Sequence, residues 1–333
     1  NQKVEEDAGL IAALQKKIKE LLARIAELED ELERERAVIL QEIHMYEDTP
    51  EDMVFELAQL SAYPHQALGA SGLGTQDIVK RLTSDDLRSY IASRYTADRI
   101  VISAAGAVDH DDLVAKVERA FAHIPAANRS GIVPGFVPAA YRPVTSLLEK
   151  ETEQTHLVIG FQGIAHHDPR YAAMRILSSV LGGGTSSRLW QEVREKRGLV
   201  YSIYSFRDSY ADDGQFGVYA GSSPNNIPEL VPIILDEIVR IQDGITDQEL
   251  ARAKTQIMSG SRMGREKVMT RVDQQGRHML TYGTPFQIQE LIDSVSAVTT
   301  ADVAALARSV FSTPLMVSAV GQLHSLMPVD AMT

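Results

Sequence analysis

The side chains best suited to bind a metal ion or move a proton are the nine histidines, because the sequence contains no cysteine. Two histidines four positions apart on a helix, with an acid between them, would share one face and could hold a metal ion together. None is spaced in this way; they are His44, His65, His110, His123, His156, His166, His167, His278 and His324. The spacing favours surface or hydrogen-bonded core histidines over metal ligands. The lack of thiols excludes disulfides, thiolate metal sites and cysteine nucleophiles.

A run of three glycines at 182–184 raises the possibility of a phosphate-binding loop. Such a loop follows a strand and ends in Gly-Lys-Ser or Gly-Lys-Thr, whereas this run is followed by Thr185, Ser186 and Ser187. No strand pattern precedes it. We therefore interpret the glycines as the entry to a helix and expect no nucleotide site there.

Composition and charge set the class of protein. The 333 residues suffice for two domains, and 44% hydrophobic with 23% charged residues is typical of a globular protein. A net charge of -12 argues against nucleic acid or an anionic membrane as a partner, since both would repel the chain. No apolar run reaches 18 residues and the N-terminus does not resemble a signal, so we expect a soluble, cytoplasmic chain.

The elements that position the functional side chains follow from periodicity and capping residues. Thr75 is expected to cap a helix over 76–82, and the Ser84-Asp85-Asp86 group a helix up to Tyr95. Further helices are predicted over 34–47, 50–62, 109–123, 169–181, 186–196, 227–241, 246–266 and 299–311. Strands are predicted over 99–108, 156–163, 200–210, 214–222 and 315–320. A strand pair between clustered helices indicates an α+β fold with an antiparallel sheet and helices on one face.

Four segments follow from this pattern. They are a coiled-coil-like helix over 1–32, a first folded region over 33–124, a proline- and glycine-rich linker over 125–145, and a second domain over 146–333. The strand at 99–108 has no obvious partner before the linker. Because a lone apolar strand is unstable, we expect the N-terminal helix or a second chain to cover it.

The first segment carries a regular heptad repeat, with Ile at three successive a positions and Leu at successive d positions. Its members are Ile11, Leu14, Ile18, Leu21, Ile25, Leu28 and Leu32. Basic residues occupy the first half and acidic residues the second, which favours an antiparallel homodimer over a parallel one. Leu22 widens the apolar stripe, so docking of this helix on its own chain is the alternative.

Several motifs together resemble the insulinase and processing-peptidase family of zinc metallopeptidases, over about residues 33–325. In the first region they are Glu35-Arg36-Ala37-Val38-Ile39-Leu40-Gln41-Glu42-Ile43, Leu73-Gly74-Thr75, Tyr90-Ile91, Tyr95 and Ala104-Ala105-Gly106-Ala107-Val108. In the second they are Glu153-Gln154-Thr155-His156-Leu157, Gly160, Gly163, Leu181-Gly182-Gly183-Gly184-Thr185-Ser186-Ser187-Arg188-Leu189 and Arg194-Glu195-Lys196-Arg197-Gly198-Leu199-Val200-Tyr201. The first region is similar to only the back half of that family's first domain.

The resemblance implies a zinc site of which this sequence holds one part. The family binds zinc through the two histidines of an H-x-x-E-H helix, whose Glu is the general base, and through a distant Glu. Glu42 matches that distant ligand, and Glu35 matches an accompanying acid on the same helix face. The H-x-x-E-H helix has no counterpart in the sequence. We therefore expect this chain alone to bind no zinc and to be inactive in proteolysis.

The resemblance also assigns a role to Arg194 and Tyr201. In the family, an Arg and a Tyr at this spacing position the substrate carbonyl and stabilise the oxyanion. The alternatives are that Arg194 pairs with Glu192 or Glu195 and that Tyr201 packs within its strand. By analogy with the family, the exposed edge of the 214–222 strand is expected to accept a peptide by strand addition.

Three functions remain open at this point. The chain is a peptide-binding half of a peptidase chamber without its own catalysis, or it becomes an active zinc endopeptidase when another chain supplies the missing helix. Alternatively, it is a non-catalytic scaffold or chimeric protein clamped by the coiled coil.

Overall fold

The computed structural model describes residues 31–124 and 137–332. Most of the heptad segment lies outside the described residues, so the predicted dimer and the predicted intrachain docking both stay predictions. The described residues divide into two compact units, which are treated separately. The first comprises 31–48 and 71–95; the second comprises 49–70, 96–124 and 137–332.

The elements are numbered in chain order. The α-helices are α1 (31–48), α2 (Pro50–Ala62), α3 (Gln76–Arg81), α4 (Ser84–Arg94), α5 (His110–Phe121), α6 (Tyr171–Gly182), α7 (Ile227–Gln242), α8 (Asp247–Gly264), α9 (Val268–Tyr282), α10 (Ile288–Ala297) and α11 (Thr300–Phe311). A π-helix spans Trp190–Glu195. The strands are β1 (Ser146–Glu149), β2 (Thr155–Gln162), β3 (Ser202–Ser209), β4 (Gly214–Ser222) and β5 (Met316–Gly321). No helix within these ranges is long and apolar enough to cross a membrane.

Capping side chains define the helices of the first unit. The hydroxyl of Thr75 accepts a hydrogen bond from the backbone N–H of Ile78, as predicted for the start of α3. At α4 the cap is Thr83, one residue before the predicted Ser84. Thr83 and Asp86 satisfy each other's backbone N–H groups in a capping box, an arrangement that Ser84 cannot make with the same acid.

A five-stranded sheet organises the second unit. Its strand order is β1-β5-β2-β4-β3, with β1 parallel to β5 and the other neighbours antiparallel. The predicted α+β class and the predicted β3–β4 pair are therefore confirmed. Strand β1 was not predicted, because its four residues are mostly exposed and carry no alternating pattern.

Both faces of this sheet are covered. On one face α6, α7 and α11 contribute to a large apolar core, which includes the fully buried Leu177 and Ile234. On the other face, Val54 and Ala58 of α2 pack in a smaller cluster with Tyr219 of β4. Helices on a single face were expected, so the position of α2 corrects that detail.

The predicted strand over 99–108 is wrong. A 3₁₀ turn, Ala97–Arg99, is followed by irregular backbone up to Asp109, whose side chain caps α5. Ile102 is 46% exposed and Val108 48% exposed. The segment is held partly by a side chain, since the Ser103 hydroxyl donates to the Val272 carbonyl at 2.8 Å. Apolar β-branched residues alone do not make a strand when no second strand pairs with them.

Candidate functional site

Arg194 lies in the π-helix of the second unit. Its guanidinium carbon stands 4.2 Å from the centre of the Trp190 ring, a cation–π arrangement that leaves the charged end exposed. The two neighbouring acids have other partners. Glu192 binds Arg197 at 3.0 Å and also Lys196, and Glu195 accepts a hydrogen bond from the Trp190 indole at 2.9 Å. These two acids therefore bind other residues instead of forming the ion pairs with Arg194 that were the alternative.

Tyr201 lies immediately before β3, and its side chain is 77% exposed. Packing of this ring within its strand is therefore wrong. Its backbone N–H donates to the Gly221 carbonyl at 2.9 Å, which fixes the residue beside the end of β4. The phenol of Tyr201 is thus presented to solvent from a backbone that the sheet holds in place.

A tight turn connects the two residues. The Gly198 N–H donates to the Arg194 carbonyl at 3.0 Å, and the Leu199 N–H donates to the Val193 carbonyl at 3.1 Å. Gly198 has φ of +66°, a left-handed conformation that side-chain-bearing residues rarely adopt. One corner of the second unit therefore carries both residues, and π-helical turns are frequent at functional sites.

The sheet edge beside Tyr201 is β3. Strand β4 pairs with β2 on one side and with β3 on the other, so it is internal. The expectation that the 214–222 strand offers its own edge to a peptide is therefore wrong. Among the described residues no further strand pairs with β3, and any strand addition at this end of the sheet would use β3.

Glu35 and Glu42 lie on α1 in the first unit, seven positions apart and both exposed. That spacing places the two carboxylates on one helix face. Arg36 anchors this helix within the unit, because its Nη2 atom donates to the Leu82 carbonyl at 2.8 Å. The geometry leaves Glu42 accessible to a metal ion or a cation from another molecule.

The residues around Glu42 do not fit a zinc site by themselves. Catalytic zinc uses three protein ligands, of which imidazole is the most frequent, together with a water molecule. Within 31–124 and 137–332, no three His, Cys, Asp or Glu side chains come together as a metal site. His44 on the same helix pairs with Glu47 instead, with 3.3 Å between Nδ1 and Oε2. Glu42 therefore supports no catalytic step through a metal ion with the side chains that surround it.

The buried histidine of the sheet is a core residue, as its isolated position in the sequence favoured. His156 lies on β2, and its Nδ1 atom is 2.9 Å from the Tyr219 hydroxyl on β4. Burial lowers the pKa of His156, which keeps the imidazole neutral within the sheet. The hydrogen bond to Tyr219 satisfies a polar group that would otherwise be buried without a partner.

Sequence reasoning missed a cleft between α6, α9 and α10 that is lined by Arg175, His166 and Tyr282. One signal was available. Arg175 interrupts the apolar stretch of α6 between Met174 and Ile176, which are both buried. A charged residue between two core positions of a helix needs a partner or a function.

Comparison with known proteins gives consistent matches. The family described as "Peptidase M16 inactive domain" matches residues 81–257. "Uncharacterized zinc protease SCO5738" of Streptomyces coelicolor is 38% identical over 301 residues, which are 89% of this chain and 66% of that protein. "Uncharacterized zinc protease YmxG" of Bacillus subtilis is 35% identical over 285 residues, 85% of this chain and 69% of that protein. The chain thus spans about two thirds of the length of these relatives.

Solved structures agree on the fold. A structure titled as a peptidase M16 inactive domain from Pseudomonas fluorescens superposes with a TM-score of 0.79 at 22% identity, covering 90% of this chain and 72% of the other. A chain of complex III2 from Candida albicans gives a TM-score of 0.80 at 21% identity, covering 90% and 73%. At this level of identity the likeness establishes the fold alone.

Proposed function

The chain belongs to the peptidase M16 family of zinc metallopeptidases, and from that premise we propose that these 333 residues bind an extended peptide without cleaving it on their own. The observation that carries the proposal is the presentation of Tyr201. An exposed phenol, fixed by a backbone hydrogen bond at the start of an edge strand, is suited to contact a peptide carbonyl.

Arg194 supports the same proposal. Its guanidinium keeps a solvent-facing position by stacking on Trp190, and it is joined to Tyr201 through the short turn at Gly198. Guanidinium and phenol groups donate hydrogen bonds to carbonyl oxygens. A peptide strand alongside β3 would receive main-chain hydrogen bonds from the strand edge, with these two side chains at its end.

A binding experiment tests the peptide site. Fluorescence anisotropy with a labelled, unstructured basic peptide should give saturable binding to the full chain. Tyr201→Phe and Arg194→Gln should each weaken it by about tenfold, the effect of losing a hydrogen bond in a partly exposed site. Tyr90→Phe and Arg88→Gln, which alter exposed residues of α4, are the matched controls. Equal affinity for all four variants would overturn the proposed site.

The lack of proteolysis by the isolated chain needs a separate measurement. Elemental analysis should find far less than one zinc per chain, and a quenched fluorescent peptide should not be cleaved. The reason is that the 333 residues contain no H-x-x-E-H motif and therefore lack two imidazole ligands and the general base. Stoichiometric zinc together with cleavage would contradict the proposal.

A second candidate is an active zinc endopeptidase formed with another chain that carries the missing helix. Two observations favour it: Glu42 is exposed, and relatives at 35–38% identity are named zinc proteases. Exposed apolar side chains add support, since Tyr90 and Ile91 of α4 and Phe121 of α5 offer contact area to a partner.

Mixing distinguishes this candidate from simple peptide binding. The chain and a family fragment containing H-x-x-E-H are assayed apart and together with the quenched peptide. Cleavage that appears only on mixing, and that is lost in Glu42→Gln but not in Glu118→Gln on the exposed side of α5, would establish complementation. If mixing gives no cleavage while the chain still binds the peptide, complementation is ruled out and peptide binding remains as the function.

The heptads of residues 11–32 carry the third candidate, a scaffold that pairs through a coiled coil. Light scattering should then give a dimer that Ile18→Lys combined with Ile25→Lys converts to a monomer. A monomeric parent chain that loses thermal stability on the same changes would favour docking of the helix on its own chain.

A further inference from the structure

A cleft of about 390 Å³ lies in the second unit, between α6, α9, α10 and the loop before α6. Its volume is within the range of small-molecule sites. Aromatic rings make up much of its wall: His166, Tyr171, His278, Tyr282 and Phe286. None of these residues takes part in the peptide site proposed at Arg194 and Tyr201, so the cleft is a separate feature of the molecule.

Arg175 of α6 lines the cleft and lacks a complete set of partners. Its Nε atom is buried and has no hydrogen-bond partner among the described residues, and the same holds for Nδ1 of His166. A buried donor of a charged group without an acceptor is costly. The incompletely paired guanidinium of Arg175 indicates that an acceptor from outside the chain would be bound favourably.

The charges around Arg175 point the same way. Burial and the nearby Arg207 both lower the pKa of Arg175, and no carboxylate is among the groups that act on it. Asp168, on the loop before α6, is occupied by Arg170 at 2.7 Å. Arg277 is a second basic residue that lines the cleft, and Glu290 is the one acidic residue among its lining residues. The cleft therefore has a positive balance that an anion would offset.

The aromatic walls are held in place. The Tyr282 hydroxyl donates to the His166 carbonyl at 3.2 Å, and the His278 Nδ1 atom lies 2.7 Å from the Thr284 carbonyl, which requires a proton on that nitrogen. The rings of His278 and Tyr282 are 4.5 Å apart, and those of His278 and Phe286 are 5.4 Å apart. Such walls accept a flat apolar group by stacking or edge contact.

We propose that this cleft binds a carboxylate carried on an aromatic body, with Arg175 receiving the carboxylate and the wall of Tyr and His rings receiving the aromatic group. Planar guanidinium and carboxylate groups match each other geometrically, and the pairing strengthens away from water. A free aryl acid and the C-terminal residue of a peptide that ends in Phe, Tyr or Trp share this chemistry.

Titration calorimetry with matched probes tests the chemistry. N-acetyl-L-phenylalanine should bind the full chain at least about tenfold more tightly than its amide, which has the same shape without the charge. Phenylacetate separates the two sources: tighter binding than N-acetyl-L-phenylalanine indicates a free aryl acid, and weaker binding indicates a peptide C-terminus. Inorganic phosphate should not compete, and competition by it at equal concentration would contradict the aromatic part of the site.

Variants at Arg175 decide between a binding role and a structural one. Arg175→Met should reduce affinity for the preferred acid at least about tenfold. The free variant should unfold at the same or a higher temperature, because it removes a poorly partnered cation. Arg175→Lys, which keeps the charge without the planar group, should bind weakly while remaining folded. Arg262→Met, at an exposed position of α8, is the control.

Three results would overturn the proposal. The acid and the amide bind with equal affinity, or Arg175→Met binds the acid as well as the parent chain, or Arg175→Met and Arg175→Lys both unfold several degrees earlier. The last result would show that Arg175 holds the helices together instead of serving a ligand. A failure of the peptide-binding proposal at Tyr201 would leave this proposal standing, since different probes and different residues test the two sites.

Discussion

Strand β4 of the second unit and helix α4 of the first are similar in length and opposite in their surroundings. All nine residues of β4 are buried, whereas none of the eleven residues of α4 is. Strand β4 takes its conformation from pairing with two other strands, β3 just before it in the sequence and β2 much earlier. Helix α4 takes its conformation from its own capping box, within four residues of chain. The two regions show that different parts of one chain can depend on tertiary packing and on local chemistry to very different degrees.

The largest expected difference comes from truncating one side chain in α4 and one in β2, the strand that pairs with β4. Ile159 of β2 is fully buried in the main core, and Ile91 of α4 is 54% exposed. Ile159→Ala should lower the free energy of unfolding by about 3 to 4 kcal/mol, because it leaves a cavity, and Ile91→Ala by less than about 1 kcal/mol. Urea unfolding followed by circular dichroism measures both. Similar losses for the two variants would contradict the comparison.

Adding a methyl group tests close packing. A Cβ at Gly182, the last residue of α6, would lie 2.2 Å from the Ser205 backbone nitrogen, while a Cβ at Gly260 of α8 would meet nothing within 4 Å. Gly182→Ala should destabilise by about 3 kcal/mol, because backbone of β3 must shift. Gly260→Ala should stabilise by up to about 1 kcal/mol, as Ala favours helix. Thermal unfolding of the two variants should therefore move in opposite directions.

An ion pair of the second unit should make stability depend on pH. Burial of Glu249 opposes its ionisation, but hydrogen bonds from Arg188, at 2.7 Å, and from the Thr246 backbone outweigh burial and lower the pKa of Glu249 to about 2. In the unfolded chain this pKa is about 4.3. The stabilisation is therefore present above about pH 4.3 and is lost as the pH falls toward 2.

Glu249→Gln should cost about 1 to 2 kcal/mol at pH 7 and less at low pH. Unfolding free energies measured from pH 7 down to pH 3 for Glu249→Gln and for the exposed control Glu266→Gln check this. Parallel curves for the two variants would show that the ion pair contributes no pH dependence.

The smallest effect is expected at the cap of α4. Thr83→Ala removes the hydroxyl that accepts from the Asp86 N–H at 3.2 Å and should cost about 1 kcal/mol. Since α4 buries no residue, the loss should appear as local fraying, with faster hydrogen exchange of α4 amides and unchanged exchange in β4. Equal acceleration in both elements would show that α4 depends on the rest of the chain for its structure.

The same contrast explains which elements of the fold could be predicted from the sequence. Elements with a local signature were predicted closely: Thr246 and Glu249 form the expected capping box of α8, and Asp109 begins α5. The β3–β4 pair was predicted because both strands combine apolar patterning with a short connection. The 99–108 strand failed because pairing requires a partner that a one-dimensional pattern does not contain.

The candidate functional residues divide in the same way, into those with a local sequence motif and those without one. Arg194 and Tyr201 were chosen from a motif, and the structure places both on one exposed corner. Their roles remain a prediction. The cleft at Arg175 joins α6 to helices about a hundred positions later in the chain, and α9 and α10 were not predicted as elements. No motif spacing reveals a site that depends on such distant helices.

The π-helix that carries Arg194 has a consequence for comparisons within the family. Because each turn closes on the fifth residue instead of the fourth, Trp190–Glu195 contains one more residue than an α-helix of equal length. Deleting one position, such as Gln191, and restoring α-helical winding would therefore leave the residues on either side facing nearly the same directions. A relative shorter by one residue here would keep the Arg-to-Tyr spacing in its sequence and would present the aromatic residue before the Arg from about the same side.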